Sequence, residues 1–279
     1  GQNATFHEAP KFSDSLEYQF KEYTELDQKQ LDSLTRFLSK NPPADWPRFI
    51  YVHLIGFDGH AHLYGPNSDK AIKFLARLDT MMKKSLELLE AGETADHSIE
   101  TILTADHGFV ETPNYLDIDN EINRFAQDFN VLNEHRFVSI YKPSRVSADE
   151  FSKLLQPFLK VRGVDMVAQR LDNSLVVNSE SKNFEIFFGT KLCPDFSYSI
   201  KVGASSQFLC PTVFDQDSND SAYPFMMTNL STFFTSPIRP DAVIVAKQGF
   251  GFTKAAKGNH GGLTREEVLV PLHIRNISF

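Results

Sequence analysis

The chain has 279 residues, 41% of them hydrophobic, so it can bury a large core as one domain or as two lobes. Its formal net charge of −8 argues against a protein that binds nucleic acid along the phosphate backbone, because that affinity comes mainly from lysine and arginine. No apolar run approaches the roughly 18 residues of a membrane helix. The first ten residues also lack the charged start and apolar core of a signal peptide.

In the first third of the chain, the pattern predicts a helix, a strand, a second helix and a second strand. Apolar residues recur at helical spacing over residues 13–39, and the β-branched run 50–55 predicts a buried strand. Ser68 is a typical N-cap for the second helix, which Gly92 ends. Residues 98–104 predict the second strand, and a crossover helix of this length normally makes the two strands parallel.

The second half of the chain predicts a different organisation. A helix within residues 119–130 precedes a strand at 136–141, and a capping box at Ser147 begins another helix that runs to about residue 159. Short alternating runs separated by turn residues predict hairpin strands at 164–171, 174–178, 184–188 and 198–202. We interpret residues 136–214 as an inserted α+β lobe, and residues 241–246 as a strand that returns to the main sheet.

Three clusters of Asp and His stand beside the predicted strands. They are Asp58, His60 and His62 after the run 50–55, Asp106 and His107 after 98–104, and His260 before the apolar run 268–274. Ligand sites in open α/β sheets form where strands end, so we predict one composite site from the three clusters. Any one cluster alone is more often an ordinary surface pair or turn. Together they favour a site for zinc or manganese, which imidazole and carboxylate groups bind.

These clusters resemble those of the alkaline phosphatase superfamily, and within it the type I phosphodiesterase/nucleotide pyrophosphatase branch. In that branch one metal ion is held by Asp-x-x-x-His followed by x-x-Gly-Pro, and by a distant His in Gly-Asn-His-Gly. The matching residues are Asp58, His62 and His260. The Gly-Pro at Gly65 selects His62 over the neighbouring His60 as the ligand.

The resemblance extends to the second metal ion and to the fold. The Asp and His of a Thr-Ala-Asp-His-Gly segment hold that ion in the family, and Asp106 and His107 match them. His60 and Asn259 are then residues that support the ligands without binding metal. The implied fold is α/β, with a mostly parallel sheet and helices on both faces. Its core would comprise residues 1–135 and 215–279, with the lobe 136–214 inserted.

Two further resemblances concern parts of the chain. Residues 17–108 resemble ethanolamine phosphate transferases of GPI-anchor synthesis, most closely at HLIGFDGHAH. Those proteins place the last His soon after Asp-His-Gly, whereas 152 residues separate His107 from His260 here. The segment HGGLTREEVLVPL instead resembles the PglZ-type domains of phage-defence systems. The superfamily is therefore better defined than the subfamily.

The resemblance implies a hydrolase or phosphotransferase that acts on a small phosphate ester or a nucleotide. Two divalent metal ions, zinc or alternatively manganese, would activate a Thr or Ser hydroxyl and stabilise the leaving oxygen. Residues 1–48 contain no match for that hydroxyl or for a further metal-binding Asp. We therefore expect the amino-terminal part of the family domain to be missing, with a separate polypeptide segment as a candidate partner, and the chain alone to be close to inert. The alternatives are a non-catalytic metal-binding module and a mutase.

The sequence features that bear on the cellular compartment are weaker. Cys193 and Cys210 are too few for a disulfide framework, and they can form one disulfide or remain two thiols. Four Asn-x-Ser/Thr sequons would matter only in a eukaryotic secretory route. They begin at Asn3, Asn219, Asn229 and Asn276. We expect an exported or periplasmic protein, or one of the secretory-pathway lumen.

Overall fold

The computed structural model describes residues 23–94, 98–125, 128–179, 183–189, 198–203, 208–210, 222–254 and 256–276. The chain forms two compact units, the first of residues 1–105 and 271–279 and the second of residues 106–270. Within the described part of the chain, no helix combines the length and the apolar character that a bilayer crossing requires.

The chain contains both helices and strands, so the protein is a mixed α/β protein. The described α-helices are α1 (Tyr23–Lys40), α2 (Gly56–Tyr64), α3 (Asp69–Ala91), α4 (Ile118–Phe125), α5 (Ala148–Leu155), α6 (Met226–Thr235) and α7 (Arg265–Val268). Short 3₁₀ helices cover Pro43–Asp45 and Gln156–Lys160. The described strands are β1 (Thr101–Thr104), β2 (Val110–Glu111), β3 (Asn114–Tyr115), β4 (Asn130–Asn133), β5 (Phe137–Tyr141), β6 (Val164–Arg170), β7 (Ser174–Ser179), β8 (Asn183–Phe188), β9 (Tyr198–Val202), β10 (Phe208–Leu209), β11 (Ala242–Ala246), β12 (Phe250–Gly251), β13 (Gly258–Asn259) and β14 (Leu272–Arg275).

In the first unit, helices α1 and α2 pack against α3, and β1 pairs with β14 in an antiparallel ladder. The predicted cap of α3 is confirmed, because the Ser68 hydroxyl accepts a hydrogen bond from the amide of Ala71. Gly92 follows the end of that helix, as expected. Helix α1 begins at Tyr23 among the described residues, and the part of its predicted range over residues 13–22 lies outside them.

The predicted buried strand at residues 50–55 is wrong for the described structure. These residues form neither helix nor strand, none of them is buried, and the neighbouring Phe49 is 80% exposed. A strand needs a neighbouring backbone to bond with, and no described residue pairs with this segment. At its end, the amides of Ile55 and Gly56 donate to the carboxylate of Asp27 instead.

The second unit is built around an eight-stranded sheet with the order β10-β9-β8-β7-β6-β11-β5-β4. Each neighbouring pair in it is antiparallel, so the prediction of a mostly parallel sheet is not confirmed. For neighbours that a short turn joins, such as β4 with β5 and β6 with β7, the physical reason is that short turns allow only antiparallel pairing. The predicted Asp172-Asn173 turn is one example, where the amide of Leu171 donates to the carbonyl of Ser174. Strand β3 pairs with β12 in parallel outside this sheet.

Alternate residues of β11 enter two different hydrophobic clusters, as expected for a central strand covered on both faces. Val243 and Val245 pack in one cluster with Leu230 and Phe234 of α6. Ala242, Ile244 and Ala246 belong to the other cluster, together with residues of α4 and α5. The capping box predicted at Ser147 is present at the start of α5.

The boundaries of the two compact units differ from those of the predicted core and lobe. Strands from the predicted lobe, residues 136–214, share one sheet with β11 from the predicted core. Cys210 is disulfide-bonded. Cys193, the other cysteine of the sequence, lies outside the described residues.

Candidate metal centre

Asp58 and His62 lie on helix α2, four residues apart and therefore on one face. Oδ1 of Asp58 is 3.7 Å from Nε2 of His62, and their side chains are 43% and 22% exposed. Gly65 ends the helix with a φ of 92°, a backbone conformation that favours glycine. The motif that the sequence indicates is thus a short helix rather than a loop.

A buried carboxylate fixes the start of this helix. Asp27 of α1 accepts hydrogen bonds from the amides of Ile55 at 2.8 Å and Gly56 at 2.9 Å. Burial raises the pKa of Asp27 above its ordinary value, and the two amide hydrogen bonds act in the opposite direction. Sequence analysis missed this residue. The signal was an acidic residue on the apolar stripe of α1, in register with the buried Leu31, Leu34 and Leu38.

The ring of His60 contacts neighbouring residues of the first unit. Its ring stacks on Phe74 with a centroid distance of 4.3 Å, and its Nδ1 lies 2.8 Å from the carbonyl oxygen of Gly56. Because a carbonyl can only accept, Nδ1 carries the proton and donates this bond. One nitrogen of His60 therefore serves the helix backbone.

The Asp106-His107-Gly108 segment begins the second unit. Nδ1 of His107 lies 3.1 Å from the carbonyl oxygen of Gly108, which places the proton on Nδ1 and a lone pair on Nε2 in the neutral ring. That Nε2 is 3.7 Å from Oδ2 of the exposed Asp106. The amide of Gly108 donates to the carbonyl of Glu267 at 2.8 Å.

Gly108 is required by a close approach of two backbones. A Cβ atom at this position would stand 1.9 Å from the carbonyl oxygen of Glu266. We expect Gly108→Ala to destabilise the protein by about 1–3 kcal/mol, the usual range for overpacking, and to displace His107. Chemical denaturation and a zinc competition titration measure the two effects.

Gly189→Ala is the matched control, because a Cβ there meets no atom within 4 Å and only its φ of 68° opposes the exchange. It should cost roughly 1–2 kcal/mol and leave metal affinity unchanged. Equal effects of the two variants on metal affinity would contradict a role for Gly108 in placing His107.

A two-residue ladder brings His260 to the Asp-His-Gly segment. Strand β13 pairs antiparallel with β2, so that Asn259 faces Val110 and the next residue, His260, comes opposite Phe109. The rings of His260 and His107 stack with a centroid distance of 3.6 Å and an interplanar angle of 10°. One ring nitrogen of each lies within 4.8 Å of the other. Two histidines separated by 152 residues thus stand side by side.

Asn259, predicted to support the ligands, is fully buried beside this pair. Its side-chain amide donates to the hydroxyl of Thr112 at 2.8 Å. Its Oδ1 is buried and has no hydrogen-bond partner among the described residues.

Three further residues near the histidine pair were not predicted from the sequence. His135, at the hairpin between β4 and β5, has its ring 5.6 Å from that of His260. The next residue, Arg136, forms a two-pronged ion pair with Glu267, in which Nε to Oε1 is 2.6 Å and Nη2 to Oε2 is 3.1 Å. Both side chains are buried. For Glu267 the sequence does contain a signal, because Thr264-x-x-Glu267 is a capping-box pattern.

Glu267, the acidic partner of this pair, also binds the chain just after each of the two histidines. Oε1 of Glu267 accepts from the amide of Gly262 at 2.8 Å, and Oε2 accepts from the hydroxyl of Thr264 at 2.7 Å. The backbone carbonyl of Glu267 accepts from Gly108, next to His107. One glutamate therefore tethers both the turn after His260 and the turn after His107.

These donors fit a divalent transition metal. Imidazole nitrogens with the proton held on the opposite ring nitrogen, beside carboxylates, are the groups that zinc and manganese bind. Asp106, His107 and His260 lie in the second unit, and Asp58 and His62 lie in the first.

The sequence profile of the family described as Type I phosphodiesterase / nucleotide pyrophosphatase matches residues 3–263. The chain belongs to this family. The match includes each of the three Asp and His clusters of this phosphodiesterase-family chain. It also includes the eight-stranded antiparallel sheet.

A curated relative of this phosphodiesterase-family chain is the GPI ethanolamine phosphate transferase 2 of Schizosaccharomyces pombe. The two are 29% identical over 107 residues, which cover 38% of this chain and 14% of the relative. The chain thus spans far less than the full length of the relative that it matches.

Proposed function

We propose that the protein is a metal-dependent hydrolase or phosphotransferase for phosphoric esters that uses two divalent metal ions. In this proposal Asp58, His62 and His260 bind one ion, and Asp106 and His107 bind the other. Membership of the phosphodiesterase family supports the ester chemistry. The observation that carries the proposal is the stacking of His107 on His260 beside Asp106, because those residues come from two separate motifs.

The residues of the chain have defined parts in this proposal. Bound ions would supply Lewis-acid polarisation of a phosphoryl oxygen. Asp27 holds the start of α2, so that Asp58 and His62 project from a fixed helix. The Gly108 carbonyl holds His107 in the tautomer whose Nε2 can bind metal, and Glu267 fixes the turn after His260. Such outer hydrogen bonds orient the ligands and tune their basicity.

Zinc is the proposed metal, with manganese as the alternative. Imidazoles and carboxylates in comparable number suit both ions, and zinc has the higher affinity for nitrogen ligands in the general order of divalent metals. A small phosphate ester or nucleotide is the proposed substrate. The acidic chain does not need a basic patch for it, because bound cations would neutralise the phosphate charge.

The nucleophile is also a matter of proposal. The motifs of the chain identify no Thr or Ser whose hydroxyl would attack the phosphorus atom. We propose that a separate amino-terminal segment of the family domain supplies both this hydroxyl and a further metal-binding Asp. The 279-residue chain alone should then hydrolyse a chromogenic phosphate diester at a small fraction of the rate reached with that segment, because loss of a nucleophile removes most catalysis.

The test measures zinc content, zinc affinity and diester hydrolysis for the chain with and without that segment. We expect bound zinc in both cases, and hydrolysis that depends on the segment and is removed by a chelator. Zinc binding without hydrolysis in either case, over a broad panel of esters, would favour the binding-module alternative. Failure to bind either zinc or manganese would contradict the proposal itself.

We also propose that the protein works in an exported or secretory-lumen compartment. The disulfide at Cys210 supports this placement, because disulfides persist in oxidising compartments. Fractionation of the source cells, with an antibody against the chain, tests it. Recovery in the reducing cytosol alone would contradict it.

A further inference from the structure

His135 has no role in the proposed function, yet it lies beside His260 in the same compact unit. We propose that His135 is a further imidazole ligand of the metal ion that His260 binds. This inference rests on the proposed metal-dependent function and adds a donor to it. His135 and His260 both lie in the second unit.

The positions of the two rings permit a shared ion. Their centroids are 5.6 Å apart at an interplanar angle of 52°, and one ring nitrogen of each lies within 4.8 Å of the other. Nitrogens that bind one zinc ion at about 2.0–2.1 Å lie within about 4 Å of each other. At most a small rotation of either ring therefore places both nitrogens on one ion.

The ring of His135 is held as metal-binding histidines are held. Its Nδ1 lies 2.8 Å from the hydroxyl oxygen of Thr253. Ligating histidines almost always donate their second N–H to an oxygen, which fixes the tautomer and the ring orientation. The Thr253 hydroxyl can accept from Nδ1, and in that tautomer the lone pair of the neutral ring is on Nε2.

The backbone at His135 is also fixed. Its φ is 66°, in the left-handed region, and its carbonyl accepts a 2.6 Å hydrogen bond from the amide of Phe252. Residues held in such conformations cluster at functional sites. The turn itself does not require an imidazole, because asparagine or glycine adopts the same conformation more readily. The turn therefore does not dictate an imidazole at this position, and a metal-binding role would account for one.

Two substitutions separate the imidazole from the turn. His135→Asn and His135→Gly both tolerate the left-handed backbone and remove the ligand. We expect each to lower zinc affinity by more than the roughly 100-fold upper end of losses from outer hydrogen-bond partners. Thr253→Val keeps the imidazole and removes its hydrogen bond, so its loss should fall within about 10–100-fold.

The titration uses the full chain, zinc and a chromogenic competing chelator, with cobalt absorption spectra as a second readout. His273→Asn is the matched control, because His273 is an exposed residue of β14 in the other unit. It should leave affinity and spectrum unchanged. We expect the cobalt spectrum to change in the His135 variants, as one nitrogen donor is lost, while melting temperatures stay close to that of the parent chain.

The outcomes distinguish this inference from the proposed function. If the parent chain binds zinc and both His135 variants bind it equally well with an unaltered cobalt spectrum, His135 is not a ligand and the inference is overturned. If the parent chain binds neither ion, the proposed function fails. A folded His135→Gly chain with reduced affinity supports the inference even where His135→Asn does not fold.

Discussion

Replacement of Arg136 by methionine is expected to destabilise the protein by about 3–5 kcal/mol. The substitution leaves the carboxylate of Glu267 buried without its counter-charge, which is the costly way to break a buried ion pair. It also removes the donors to the carbonyls of Lys247 and Phe250. Since Glu267 tethers the turns after His107 and His260, zinc affinity should fall with stability. Urea denaturation and a zinc titration measure the two.

Arg124→Met is the matched control for this experiment. Arg124 forms an ion pair with Glu121 at 2.9 Å, and its side chain is 61% exposed. Exposed pairs of this kind contribute at most about 1 kcal/mol, so the control should unfold close to the parent chain. Similar losses for Arg136→Met and Arg124→Met would mean that the buried pair does not support the histidine turns.

His62→Ala should abolish metal binding at the first of the two proposed sites, whereas His60→Ala should weaken it by ~10–100-fold at most. His62 shares a helix face with Asp58, while one nitrogen of His60 bonds to the carbonyl of Gly56 and its ring stacks on Phe74. Loss of a ligand removes a bond to the ion, whereas loss of His60 only loosens the helix. A competition titration with zinc ranks the two variants.

Thermal denaturation compares the stabilities of the same two variants. His60→Ala should lower stability by roughly 1 kcal/mol through the lost hydrogen bond, and His62→Ala should matter little to the metal-free fold. The reverse ranking in zinc affinity would show that the register of α2 had been misread.

The features that the sequence predicts well are those decided by neighbours along the chain. Ser68 and Ser147 cap their helices with hydroxyls that reach amides three residues away. The hairpin strands β6 to β9 follow from alternating apolar residues and a turn such as Asp172-Asn173. Both kinds of signal are local, so they survive without knowledge of the rest of the fold.

The predictions that failed concern pairings that depend on distant parts of the chain. Residues 50–55 have strong strand propensity, yet propensity describes how well a segment fits a sheet and not whether a partner strand is present. One crossover helix and the family resemblance predict parallel pairing, whereas the described eight-stranded sheet is built from antiparallel neighbours. The fold class was thus predictable at the level of mixed α/β, but not the sheet topology.

The candidate site shows the same division. Its Asp and His motifs can be read from the sequence, because each is a short segment with its own glycine. Asp27, His135 and Arg136 cannot be recognised in this way, because each acts on a partner that is distant in the chain. Arg136 and Glu267 are separated by 130 residues. Only the folded chain shows that these residues surround the motifs.

The ladder between β2 and β13 has a consequence for the order of folding. It is two residues long and joins Val110 to Asn259, so its closure traps a loop of almost 150 residues. Closing such a loop costs entropy that two backbone pairs cannot offset alone, and the intervening sheet has to form first. We therefore expect His107 and His260 to meet late, after the hydrophobic clusters have assembled. Metal ions added during refolding should accelerate only the last step, in which the two histidines come together.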